Sequence, residues 1–260
     1  MTDKRDEPGR IPPKTLIVPS RDLKMGAAFG WLRSGWSDFR KAGSISFIYG
    51  LFVFMVSIAV AWLAWRLGGY VLLITALSGF VFVAPMLAFG LYSVSRQLCE
   101  SDQADLGRTI RAIKRPLSNA MVYTLVLLIV FLLWARAGMM VQVFFPYGQD
   151  PEWDHIVTFL LIGSAVGAIF ASVSFAASVF SLPMLANRDV DVITAVISSI
   201  NAVLRNKPAM FVWAILVVSM TLVGFLTAGI GLIIIIPWLA YATWHGYREA
   251  LDVSEWPKLK

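Results

Sequence analysis

Three short stretches, PMLA at 85–88, PMLA at 183–186 and PWLA at 237–240, place a proline in the same frame near the ends of three apolar segments. No other proline lies deep in an apolar run. A proline inside a helix removes one backbone hydrogen bond and bends the helix, and membrane helices accommodate it. The shared frame predicts one structural unit used three times, a pair of helices whose second member carries a proline near its end.

The composition around these frames is typical of a membrane protein. Hydrophobic residues make up 58% of the chain and charged residues 15%, and the mean hydropathy is +0.72. Soluble domains are closer to half apolar and a quarter charged. A bilayer core requires ~20 apolar residues per helix. Six runs qualify, so we expect an all-α integral membrane protein with six transmembrane helices, at about 44–66, 70–95, 118–142, 156–184, 209–227 and 229–247.

The distribution of basic residues predicts the orientation. All but Arg66 and Arg136 of the 22 lysines and arginines lie before the first, third and fifth runs or after the last. The positive-inside rule then places both termini in the cytoplasm, and an even number of spans likewise requires both termini to lie on one side. The first 42 residues do not have the pattern of a cleavable signal. We therefore expect a multi-pass protein of the bacterial inner (plasma) membrane. The net charge of +6 is interpreted as a consequence of this topology, and no nucleic-acid partner is expected.

Amphipathic segments precede the pairs of spans. Such apolar stripes beside basic residues favour interfacial helices, or helices that pack on the cytoplasmic ends of the bundle. The stripes are Phe29, Leu32, Trp36 and Phe39; Leu106, Ile110, Ile113 and Leu117; and Ile193, Val196, Ile197, Ile200, Val203 and Leu204.

These units predict the division of the chain. Residues 1–19, rich in proline and charge, are expected to be a flexible cytoplasmic tail. Residues 20–260 form a single six-helix membrane domain of three helical-hairpin repeats, at about 20–96, 102–187 and 189–250. The first hairpin is expected to turn at Gly68–Gly69, and Asp189 or Asp191 can cap the third amphipathic helix.

The three framed prolines allow two interpretations. Pro85, Pro183 and Pro237 can simply pack, since proline is common in membrane helices. If the units surround an axis, the kinks face one central space and form a site or pore near the cytoplasmic leaflet. Both interpretations remain open at this point.

Two further positions are candidates for a functional or structural role. Arg136 lies inside an apolar run, where it can snorkel to the interface or meet the acidic residues of the 146–155 loop. His245 lies at the end of the last run among tryptophan, tyrosine and arginine, as in an interfacial belt. The only other histidine, His155, belongs to the opposite side, so a haem held by two histidines of one chain is not expected.

Signatures of enzymes and of metal or cofactor sites are missing from the sequence. It has no phosphate-binding glycine loop, no nucleophile elbow and no His-Glu-x-x-His. Its single cysteine, Cys99, excludes an internal disulfide and a cysteine-based metal site. We expect no catalytic, cofactor-binding or metal residues, and no cofactor.

The fourth run is dense in small residues. Between Gly163 and Ser178, glycine, alanine and serine recur, with Gly163 and Gly167 four residues apart. Small residues let membrane helices approach closely. The pattern predicts a central helix with several neighbours, and it also makes a homo-oligomer conceivable.

Several stretches resemble a bacterial family of uncharacterised integral membrane proteins, the domain-of-unknown-function 2189 type. The resemblance extends over most of the chain from about residue 20, and the most specific part is the ending Trp244-His245-Gly246-Tyr247-Arg248. The other stretches that carry it are Ala84–Met86, Gly90–Tyr92, Asp191–Val196 and Asn206–Met210. The resemblance implies a membrane protein and assigns no activity.

These features favour a non-enzymatic accessory or scaffold protein that acts through the lipid bilayer and a membrane-protein partner or a second copy of itself. The alternative is a small transporter or channel with its site at the proline kinks of the second, fourth and sixth helices. A lipid-handling enzyme is a third possibility, but it would need a polar pocket that the sequence does not indicate.

Overall fold

The computed structural model describes residues 16–105, 107–109, 117–144 and 153–258, and the regular structure in these ranges is helical. The predicted all-α class is confirmed for this part of the chain. The helices are α1 (Ala27–Ala42), α2 (Ser44–Leu87), α3 (Phe89–Ser101), α4 (Leu117–Phe144), α5 (Trp153–Ser178), α6 (Ser181–Asn187), α7 (Val192–Arg205), α8 (Lys207–Leu226) and α9 (Leu232–Ala250).

Three helical segments among the described residues are long and apolar enough to cross a membrane. They are Ser44–Gly69, Leu161–Asn187 and Lys207–Leu226. Shorter apolar helices cover Val122–Ala137 and Val192–Arg205. The six spans and the three repeats therefore remain predictions. Helix α9, which lies where the sixth span was predicted, is not among the three segments that are long and apolar enough to cross a membrane.

Helix α2 doubles back in its middle. Its backbone leaves the helical conformation at Gly68 and Gly69, and Gly69 has a φ of 60°, which glycine adopts without strain. A straight helix would place Tyr49 and Gly90 about 60 Å apart at 1.5 Å per residue. Tyr49 instead hydrogen-bonds to the backbone of Gly90. The chain therefore forms a helical hairpin that turns at the two glycines.

The best-packed part of the molecule lies at one end of the helices. We call it the terminal layer, because both described chain ends belong to it: residues 16–43, α3, α6, α7, the second half of α9 and residues 251–258. Most of the largest fully buried side chains lie in this layer or in the first two turns of α8, among them Trp31, Trp213, Trp244 and Tyr241. Trp31 and Trp213 pack edge to face with ring centroids 5.5 Å apart.

The candidate spans have the opposite character. Only 17%, 33% and 22% of the residues in their most apolar windows are buried. Large apolar side chains such as Phe52, Leu161 and Leu222 are exposed. Surfaces of this kind are stable in contact with lipid or with other membrane helices, since hydrocarbon is as apolar as these side chains.

Both described ends of the chain are hydrogen-bonded into the terminal layer. The Val18 amide donates to the Ser198 hydroxyl and the Leu23 amide to Asn206 Oδ1, at 2.9 and 2.7 Å. At the other end, the Asp189 amide donates to the Pro257 carbonyl at 3.0 Å. Residues 16–19 of the predicted tail take part in this packing, whereas residues 1–15 lie outside the described residues.

Two predicted amphipathic segments contain helices, and the stripe residues are not among the buried residues of either helix. In α1 the buried residues are Ala28, Trp31, Gly35, Asp38 and Ala42. In α7 they are Thr194, Ala195, Ser198, Ser199 and Ala202. Of the predicted stripes, Phe29, Ile193 and Leu204 are more than half exposed. Of the remaining segment, residues 106 and 110–116 lie outside the described residues.

Candidate functional site

Glycines bring α1 and α9 into close contact. A methyl group added at Gly35 would lie 2.6 Å from the Ala242 amide nitrogen, and one added at Gly246 would lie 2.9 Å from the Trp31 ring. Real side-chain carbons do not approach so closely without a shift in structure. The Trp31 indole nitrogen also donates to Glu249 of α9 at 2.7 Å. Glycine at 35 and 246 therefore sets the distance between the two helices.

This close approach creates a buried polar cluster around Asp38. Asp38, on α1, is 7% exposed. The Ser95 hydroxyl, from α3, donates to Asp38 Oδ2 at 2.9 Å, and His245 Nε2, from α9, lies 2.9 Å from the same oxygen. Because an ionised carboxylate can only accept, His245 donates from Nε2. One carboxylate thus links three helices. Because it is buried, it requires these hydrogen-bond partners.

A second polar contact lies close to the first. The Ser46 hydroxyl, two residues into α2, is 2.9 Å from the Tyr241 hydroxyl of α9, and it also reaches the Phe39 carbonyl at 3.3 Å. Tyr241 and His245 are four residues apart and so lie on the same side of α9. The Ser46–Tyr241 contact joins the beginning of the α2 hairpin to the middle of α9.

The arrangement of the Asp38 cluster is that of a structural contact between helices and differs from that of a catalytic group. In a nucleophile–base pair the serine contacts the histidine ring. Here Ser95 and His245 both contact the carboxylate instead. Among the residues that the structure describes, no group of three or more His, Cys, Asp or Glu is placed to hold a metal ion.

Of the positions singled out from the sequence, His245 is the one that belongs to this cluster. Asp38 and Ser95 were not predicted from the sequence pattern. Asp38 is the only acidic residue of α1 and lies between Trp36 and Phe39. An acidic residue on an otherwise apolar and basic helix is the available signal, but Asp38 lies outside the Phe29–Phe39 stripe.

The framed prolines do not share one local geometry. Pro85 lies in the last turn of α2, and its side chain falls outside the described part of the chain. Pro183 lies in the first turn of α6, three residues after the helical path is interrupted at Phe180. Pro237 lies inside α9, which continues through it. Pro183 and Pro237 are both buried, and their proposed roles as kinks at a site remain predictions.

The carbonyl group that Pro237 leaves without a helical partner meets another helix. Proline has no N–H to donate to the carbonyl four residues earlier, here that of Ile233. A methyl group added at Gly50 of α2 would overlap the Ile233 oxygen and lie 2.7 Å from its carbonyl carbon. The backbones of α2 and α9 therefore touch at Gly50, where a Cα–H group can face the freed oxygen.

Arg136 lies on α4 with its side chain exposed. Two of its predicted partners, Asp150 and Glu152, lie outside the described residues, and the side chain of Asp154 is also not described. Its pairing or snorkelling thus remains a prediction.

The small residues of α5 are only partly covered by other helices. α5 contacts α2, α4, α6 and α7, which agrees with a helix that has several neighbours. However, Ser164, Ala168 and Ser172, each four residues from the next, are exposed, and a methyl group added at Gly163 would meet nothing within 4 Å. We call Ser164, Ala168 and Ser172 the small face of α5.

Helix α7 is capped by one of the two predicted residues. Asp191 accepts from the Thr194 amide at 2.8 Å and from the Thr194 hydroxyl at 2.7 Å. Burial acts to raise the pKa of Asp191, but these hydrogen bonds outweigh it and hold the pKa below its usual value. The cap fixes the first turn of a helix whose buried face is made of small and hydroxyl residues.

Comparison with known proteins finds a similarity over part of the chain. Residues 72–187 match the family model described as "Predicted integral membrane protein (DUF2189)". This segment runs from the second half of the α2 hairpin to the end of α6 and contains two of the three proline frames. No curated protein and no solved structure matches the chain. The resemblance inferred from the sequence is confirmed over this segment: residues 72–187 are similar to this family of predicted integral membrane proteins.

Proposed function

We propose that this protein is a non-enzymatic scaffold or accessory protein of the membrane, which holds a partner helix against its own spans. The observation that carries the proposal is the small face of α5. Ser164, Ala168 and Ser172 are exposed within a candidate span, Leu161–Asn187. Large side chains elsewhere on the same helix, such as Ile169, are also exposed, and we expect them to contact lipid.

The physical reason is the way helices associate in lipid. Because hydrocarbon competes equally for large apolar side chains, association depends on close packing of backbones and on hydrogen bonds between helices. A row of small residues at a spacing of four lets a second helix approach closely along its whole length. The two serine hydroxyls of the row can also bond to that helix. The partner is either a second copy of this chain or another membrane protein.

The contacts between the helices suit a scaffold because they join separate parts of the chain into one body. Asp38 joins α1, α3 and α9, and α2 packs against α9 at Gly50. The exposed face of α5 would thus be presented by a preformed body, with little conformational entropy lost on binding. We place the protein in the bacterial inner membrane with both termini in the cytoplasm, on the strength of its basic segments.

A pore at the proline kinks receives less support. Pro183 and Pro237 are buried in a part of the molecule where neighbouring residues such as Leu182 and Met184 have no exposed surface. Burial of this kind is what packing predicts for them.

The test is extraction of the tagged protein from native membranes in mild detergent, followed by mass spectrometry of what stays bound. Ala168→Leu blocks the small face, and Ala59→Leu makes the same change at an exposed alanine of another candidate span. We expect a stoichiometric partner, or a second copy, with the wild type and with Ala59→Leu, and its loss with Ala168→Leu. A particle without either one, or equal recovery with both variants, would contradict the proposal.

A further inference from the structure

Helix α7 turns its large apolar side chains outward. Ile193, Ile197 and Leu204 are 65%, 38% and 57% exposed, and Ile200 is half-buried between them. These four residues are spaced by four, three and four, so they form one continuous stripe along the helix. We call this stripe the outer face of α7. In water such a face would be covered by the protein core, and here it is not.

The opposite face of α7 is held to the protein by hydrogen bonds. The Ser199 hydroxyl donates to the Ala176 carbonyl of α5 at 2.7 Å and accepts from the Phe180 amide at 3.1 Å. Ser198 accepts from the Val18 amide. These bonds, and the Asp191 cap, fix the rotation of the helix about its axis. The outward direction of the isoleucines is therefore built into the fold.

The position of α7 in the chain sets its depth. One candidate span ends at Asn187, and the next begins at Lys207, with only Asn206 between it and the end of α7. Two consecutive spans run in opposite directions, so the end of the first and the start of the second lie at the same membrane surface. A 14-residue helix that joins them is about 21 Å long and must run along that surface.

The charges next to the outer face suit the same location. Arg205, in the last turn of α7, and Lys207, at the start of α8, are both exposed. Helices that lie in the bilayer interface bury an apolar face at the boundary of the acyl chains and keep basic residues at the level of the headgroups. Their positive charge favours anionic lipids.

We infer that α7 is an in-plane membrane helix whose outer face is immersed in the lipid of the interface, with Arg205 and Lys207 among the headgroups. The occupant of this face is thus lipid, and the inference does not depend on the scaffold proposal. It explains why the helix buries serines and exposes isoleucines: the serines bond to α5, and the isoleucines meet hydrocarbon.

The test measures the depth of α7 in vesicles of phosphatidylcholine and phosphatidylglycerol. The full chain, with its exposed Cys99 changed to serine, receives one spin-labelled cysteine at a time. Ile197→Cys and Ile193→Cys report on the outer face. Ser254→Cys, exposed in the C-terminal segment, is the aqueous reference, and Ile215→Cys, 49% exposed in α8, is the membrane reference.

We expect the ratio of oxygen to nickel-chelate accessibility at both α7 sites to be severalfold above that at Ser254 and below that at Ile215. A ratio equal to that at Ser254 would mean that the face is open to water and available to a soluble partner. Protection from both reagents would mean that protein covers it. Either result would overturn the inference, provided that the labelled proteins elute as the wild type does.

Discussion

Replacing Gly35 by alanine is expected to separate α1 from α9 and weaken the terminal layer. The new methyl group would lie 2.6 Å from the Ala242 nitrogen, 2.8 Å from its Cα and 2.9 Å from its Cβ. Backbone atoms cannot rotate away, so one helix must move. Overpacking of this kind costs about 1–3 kcal/mol, against a gain of about 1 kcal/mol in helix propensity. We therefore expect a net loss of up to about 2 kcal/mol in the free energy of unfolding.

Gly30 offers a matched control in the same helix. A methyl group added at Gly30 meets nothing within 4 Å. Gly30→Ala should thus stabilise α1 by about 0.5–1 kcal/mol through backbone entropy alone. The assay is heat unfolding in detergent micelles followed by tryptophan emission, since Trp31, Trp213 and Trp244 are fully buried in and beside the layer. Equal midpoints for Gly35→Ala and Gly30→Ala would refute the close contact between α1 and α9.

Substitutions at three other positions test separate contacts in the same unfolding assay. Gly50→Ala should cost about 1–3 kcal/mol or prevent folding, because its methyl group would overlap the Ile233 carbonyl; a variant as stable as the wild type would disprove the contact. Asp38→Ala should cost about 1–3 kcal/mol by leaving the His245 ring nitrogen unpaired, and Asp38→Asn should cost less because it keeps an acceptor. Asp191→Ala should cost about 0.5–2 kcal/mol through loss of the cap. Because the folded pKa of Asp191 is lowered, this cap stabilises the fold above the pKa of the unfolded chain. Its contribution should disappear as the pH falls through the lower folded value, so the difference between Asp191→Ala and the wild type should shrink in acid.

The local features of the chain were accessible from the sequence. Long apolar runs predicted helices, the pair Gly68–Gly69 marks the break in α2, and Asp191 is one of the two caps considered. These signals depend on a few neighbouring residues, whose backbone preferences act wherever the segment lies.

The stripes of α1 and α7 left open which face of each helix is buried, because such a stripe can meet either lipid or the rest of the protein. The rule that large apolar residues point inward assumes water on the other side. At the membrane interface lipid can cover them, and small residues such as Gly35 and Ser199 then face the protein. The Asp38 cluster was missed for a different reason: it joins α1, α3 and α9 across long separations in the sequence.

Cross-linking in native membranes would test the scaffold proposal most directly. With Cys99 changed to serine, Ala168→Cys places a single thiol on the small face of α5, and Ala59→Cys places one on an exposed position of α2. A short thiol-reactive cross-linker should give one discrete adduct, with a second copy or with a partner, from Ala168→Cys and not from Ala59→Cys. If Ala168→Cys gives no adduct, or the two variants give the same ones, then the small face faces lipid and the scaffold proposal fails.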